Sequence, residues 1–68
     1  MIDWRTVASS AIRRVGYDDD NSQMKIQFVE GDIVYTFCRV PRHVFDELVR
    51  AESAGRYYTN HVRNKYQC

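Results

Sequence analysis

The 68-residue sequence predicts an α+β domain: a three-stranded antiparallel meander followed by two helices packed on one face of the sheet. Two observations carry this. Met24–Pro41, MKIQFVEGDIVYTFCRVP, alternates like a strand, breaks at a glycine turn and alternates again. Beyond Pro41 the apolar period lengthens from two residues to three or four, the mark of a helix stripe.

The elements follow in order. Ile2–Ala8 holds Trp4 and shows no clear period; Trp4 is expected to plug one edge of the core. Ser9-Ser10 turns the chain into a first strand, Ile12–Tyr17, in which Gly16 marks a weak point or bulge. Asp18-Asp19-Asp20-Asn21-Ser22 has the short polar side chains that bond their own backbone in turns, so it reads as a hairpin loop. A calcium loop would need Gly and Glu where Gln23 and Val29 stand. In the second strand Met24, Ile26 and Phe28 share a face. Gly31 supplies the permissive φ of the next turn, and Ile33–Cys38 returns as the third strand, ended by Pro41.

Val44, Phe45, Leu48 and Val49 form one helical stripe starting at Pro41 or Arg42. Ser53 is the candidate N-cap of a second helix, on which Tyr58, Val62 and Tyr66 recur every four residues. Tyr35 and Phe37 are assigned to the core face of the sheet.

Size and charge bound the function. A domain this short buries roughly 60% of its unfolded surface, yet 44% hydrophobic content argues for a folded core. No apolar run approaches the about 20 residues of a membrane span. The opening MIDWRTVASS lacks an apolar secretory segment, so a cytoplasmic location is the expectation. Both thiols, Cys38 and Cys68, are then expected to be reduced, with a disulfide between them the less favoured reading. The net charge of +1 is unevenly placed: the acids outnumber the bases up to Cys38, and the bases dominate from Arg39 onward.

The ordered segments resemble the KTSC domain, a short module found at the C-terminus of some lysyl-tRNA synthetases and as free-standing bacterial and phage proteins. The likeness runs from about residue 7 to residue 66, within a single domain spanning 1–68. Val7-x-Ser9-Ser10-x-Ile12, Val15-Gly16-Tyr17-Asp18, Met24-x-Ile26-x-Phe28 and Val40-Pro41 carry it, with Ala51-x-Ser53-x-Gly55-Arg56-Tyr57-Tyr58 and Val62-Arg63-x-Lys65-Tyr66 at the close. Two departures stand out. Phe37 lacks the hydroxyl of the family's second tyrosine, and Thr59 replaces the usual asparagine. RNA binding is what the resemblance suggests.

No nucleophile, base and orienting acid converge in the sequence, so the expectation is a non-enzymatic module without cofactor. Cys38, His43, His61 and Cys68 lack the close pairing of structural zinc ligands. Arginines interleaved with tyrosines favour RNA, because bases stack on tyrosine and phosphates pair with guanidinium. The candidate contacts are Arg39, Arg42, Arg56, Tyr57, Arg63 and Lys65. The alternative is a protein-interaction module, an adaptor or inhibitor acting through an exposed sheet edge or helix face; the acidic front and basic rear would also suit a homodimer.

Overall fold

A computed structural model describes residues 1–68. It contains four strands rather than three: β1 (Ile2–Thr6), β2 (Ile12–Asp18), β3 (Gln23–Phe28) and β4 (Val34–Phe37), joined in sequence order as an antiparallel meander. Helix α1 (Arg42–Arg50) and the single-turn α2 (Ala54–Tyr57) follow, and α2 runs directly into a π-helical turn, Tyr58–Val62.

The additional strand is β1. Its pairing sets Trp4 opposite Gly16 and Asp3 opposite Tyr17. Alternation across a strand sends neighbouring side chains to opposite faces, so Trp4 lies on the face away from the helices. A Cβ on Gly16 would stand 2.8 Å from both the Trp4 ring and the Ile2 side chain. The absent side chain is therefore what lets the indole lie flat on the sheet. Arg14 covers that ring, its guanidinium carbon 4.1 Å from the centroid. Trp4 is thus a cover for the outer face, not a plug of the core. The polar residues of β1, Asp3 and Arg5, take the helix-bearing side, the inverse of the usual amphipathic pattern.

The core is one cluster between sheet and helices. Val15, Tyr17, Met24, Ile26 and Phe37 meet Val44, Phe45 and Leu48 of α1, and Ala54 and Val62 close the far end. The Tyr17 and Phe45 rings pack with centroids 5.5 Å apart, and the buried Tyr17 hydroxyl donates to the Val40 carbonyl. That bond satisfies a polar group which would otherwise be costly to bury.

Local chemistry explains the connections. Asp18 accepts from the Asp20 amide and the Asn21 side chain, so the acidic cluster is a self-bonded hairpin loop. Gly31, at φ 80°, sits in the Glu30–Asp32 turn between β3 and β4. Ser9 Oγ accepts from the amides of Ala11 and Ile12 and starts β2. Ser53 Oγ accepts from the Arg56 amide, the N-cap that its position predicts.

Two expectations fail here. The stripe Tyr58–Val62–Tyr66 does not continue as a helix, because Arg63 turns extended (φ −56°, ψ 127°) and Asn64 is left-handed at φ 65°. Asparagine tolerates that region through its short polar side chain. Cys38 and Cys68, expected as free thiols, form a disulfide across a sequence separation of 30 residues. The left-handed turn at Asn64 folds the closing segment back toward β4, so that the Cys38 amide donates to the Tyr66 carbonyl and the two sulfurs meet. No helix is long and apolar enough to cross a membrane.

Candidate nucleic-acid interface

Ile33, Tyr35 and Phe37 alternate on the helix-bearing face, but only Phe37 is buried. The helix layer stops short of the β3–β4 turn, leaving Tyr35 49% exposed instead of in the core. An open groove of about 890 Å³ results, lined by Phe28, Val29, Ile33, Tyr35, Tyr58 and Arg63 among others.

Its floor is a run of aromatic rings. Phe28 meets Tyr35 edge-on at 5.5 Å and Tyr58 edge-on at 5.2 Å, and Tyr58 meets Phe37 at 5.9 Å. Edge-to-face packing is a favoured arrangement of aromatic rings, and through it the exposed Tyr35 ring rests against Phe28. Arg63, exposed and in no ion pair, stands on the rim, with Glu30 as the one acid there.

The six residues singled out from sequence divide between separate places. Arg63 joins the aromatic groove. Arg56 and Tyr57 line a smaller, more polar hollow of about 330 Å³ on the other side of α2, with Asn60 and His61. Tyr57 is committed there: its hydroxyl donates to Glu47 Oε1 at 2.8 Å, and its ring lies 4.5 Å from that of His61. Partial burial first, and the Glu47 carboxylate second, push its phenol up to about 12. Arg39 and Lys65 are exposed and outside every ion pair, but neither lines the groove.

Arg42 is engaged elsewhere. Its guanidinium reaches Asp3 at 3.1 Å, Asp19 at 3.1 Å and Asp46 at 3.4 Å, and lies over Phe45 and Tyr17. One cation thereby ties β1, the β2–β3 loop and α1 together. The Asp3 carboxyl is held below its usual value by the Arg5 hydrogen bond foremost, with Arg42 adding to it. An arginine so enclosed by carboxylates offers a phosphate little net charge.

Sequence reasoning counts Tyr35 and Tyr58 among the tyrosines interleaved with arginines but assigns both to the core rather than to a base, and does not single out Phe28, because each sits at an apolar position of its element. Their partial exposure follows from where the helices end, which no local pattern encodes. Thr59, at the departure from the family's asparagine, donates its hydroxyl to the Gly55 carbonyl at 3.0 Å and so turns back onto α2.

A four-stranded meander with an aromatic groove at one end of its helix layer defines a small antiparallel α+β module. The profile of the KTSC domain matches residues 8–66, and the chain belongs to that family. A protein of Tsukamurella paurometabola is 38% identical over 61 residues, covering 90% of each chain. An uncharacterized protein of Stutzerimonas stutzeri is 34% identical over 50 residues, 74% of this chain and 69% of that one. The crystal structure of a KTSC domain protein from Yersinia pestis superposes with a TM-score of 0.91 at 32% identity, covering 100% of this chain and 94% of that chain.

Proposed function

We propose that the protein is a non-enzymatic module of the cytoplasm that binds single-stranded RNA in the aromatic groove. Tyr35 and Tyr58 present ring surface for bases, and Arg63 on the rim pairs with phosphate. The observation that supports this most is the exposed Tyr35 ring, braced by Phe28 beside an unpaired guanidinium. Arg39 and Lys65, exposed and outside every ion pair, add sequence-independent attraction at longer range.

A second reading, a protein partner docking its apolar side chains, is favoured by the aliphatic part of the lining, Val29 and Ile33, which are 41% and 52% exposed. Salt separates the two. Neutralising two or three phosphates gives a log–log salt slope of about −1.4 to −2.1 for a single strand, whereas an apolar interface has little salt dependence.

The test is fluorescence anisotropy with a labelled single-stranded RNA across a salt series. Tyr35→Ala is expected to cost about 1–3 kcal/mol, at least fivefold in affinity, and Arg63→Glu to abolish binding at moderate salt. Full affinity in both variants would place the RNA elsewhere, and absence of binding at low salt would leave the groove to a protein.

A further inference from the structure

Apart from Met1, the exposed large apolar residues are Val29, Ile33, Val34 and Tyr35, all in β4 or the turn leading to it. They adjoin a strand with no neighbour strand on its outer side, since β4 closes the sheet order. The direction of its backbone groups follows from two bonds. The Phe28 amide donates to the Ile33 carbonyl, so Ile33, Tyr35 and Phe37 bond inward to β3. The Cys38 amide donates outward to Tyr66. Val34, Thr36 and Cys38 therefore direct their amides and carbonyls away from the sheet.

Part of that edge is covered by the chain itself. Tyr66 takes the Cys38 amide, and Cys68 Sγ lies 3.5 Å from the Thr36 carbonyl oxygen, where the disulfide to Cys38 holds it. We propose that the outer edge of β4 is a self-association surface, kept closed by the Cys38–Cys68 disulfide and opened by its reduction to pair antiparallel with the same edge of a second copy of this chain. A dithiol reductant supplies the chemistry: its two thiols are oxidised to a disulfide, and the protein S–S bond takes up two electrons and two protons to give the Cys38 and Cys68 thiols. The closing segment then loses its covalent hold on the edge.

The second copy is the occupant because the edge complements itself. Ile33–Cys38 carries no charge and no proline, so it lacks the usual guards against pairing, whereas the opposite edge strand β1 carries Asp3 and Arg5. Acidic Glu30 and Asp32 precede this stretch and basic Arg39 follows it. Antiparallel pairing about Thr36 brings the acidic end of each copy to the basic end of the other, with Val34 opposite Cys38. The contact is a short one, below the standard interface area, so association is expected to be weak.

Sedimentation velocity of the full chain with and without a dithiol, over a series of protein concentrations, tests the proposal. The oxidised protein is expected to stay monomeric and the reduced protein to dimerise. Cys68→Ser should dimerise in reducing buffer like the reduced wild type, and Thr36→Pro, which removes an outward amide, should stay monomeric in both states. Amide exchange at Val15 and Ile26 verifies that each form retains the sheet, and Val34→Lys replaces Thr36→Pro if the proline variant does not. A reduced protein that remains monomeric overturns the proposal, as does a dimer of equal strength in both redox states. A reduced dimer that survives both edge substitutions overturns it too, by assigning association to another surface. None of these readouts involves RNA, so they stand or fall apart from the function proposed above.

Discussion

Gly16→Ala probes the least expected part of the fold, the packing of β1 on the outer face of the sheet. The new methyl would meet the Trp4 ring at 2.8 and 2.9 Å and Ile2 Cγ2 at 2.8 Å, inside any real Cβ contact. Its backbone is ordinary, so alanine brings no conformational penalty and restricts the unfolded chain by about 0.4–1 kcal/mol in favour of folding. Against this stands overpacking, about 1–3 kcal/mol when side chains cannot yield. Trp4 can yield only by lifting from the sheet and giving up the contact with Arg14. A net loss of about 1–2 kcal/mol is expected, which for a domain of this size lowers Tm by roughly 4–16 °C. Thermal unfolding followed by circular dichroism gives the magnitude, and Trp4 fluorescence, from the single tryptophan, reports whether the indole has become wetter. A neutral or stabilising alanine with unchanged emission would refute the packing of Trp4 on Gly16, and with it the reason for the glycine.

Other perturbations follow from the same geometry. Ser53→Ala removes the hydroxyl that accepts from the Arg56 amide and should cost about 1 kcal/mol in denaturant unfolding, with Ser53→Thr largely preserving stability. Arg42→Met keeps an apolar stem over Tyr17 and Phe45 but loses three carboxylates; because the side chain is 39% exposed and its ion pairs are screened by solvent, a small loss of stability is expected, smaller still at high salt. Since the folded Asp3 carboxyl is lowered, its stabilisation is present above the ordinary carboxylate range and lost as pH falls below about 4; a urea series between pH 3 and 6 should show a shallower acid loss in the Met variant. Tyr57 is raised to about 12, so its contribution is complete below the ordinary phenol value near 10 and lost as pH climbs from there through 12. Absorbance titration of the phenols should show a late component that is lost in Tyr57→Phe, and a late component unchanged in that variant would refute the assignment to Tyr57.

The parts of the fold that were legible are those in which one local signal suffices. The alternation of Met24, Ile26 and Phe28, the glycine at the next turn and the 3–4 spacing of Val44, Phe45 and Leu48 each name an element without reference to the rest of the chain. β1 was hidden because Ile2 and Trp4 are apolar toward the helix-free face while Asp3 faces Arg42, a pattern that makes sense only once Gly16 lies beneath the indole. The Tyr58–Val62–Tyr66 period was misleading: it recurs as a helix stripe would, yet Asn64 breaks the helix and sends Tyr66 to β4. The expectation of free thiols rests on compartment alone, whereas the disulfide depends on the fold, which brings residues 38 and 68 together. In the site, the arginines were readable as charges but not as partners. Arg42 is surrounded by carboxylates drawn from three separate elements, and Tyr35 is exposed because of where α2 begins and ends.

The central claim, that the groove formed by Phe28, Tyr35 and Tyr58 with Arg63 receives single-stranded RNA, is tested most directly by an NMR titration of the labelled protein with a short single-stranded RNA at low salt. The account predicts saturable shifts confined to the β3–β4 turn, Tyr35, Tyr58 and Arg63, with ring signals of both tyrosines moving as bases stack. Shifts centred on Arg56 and Tyr57, or on Trp4 and Arg14 across the opposite face of the sheet, would contradict it.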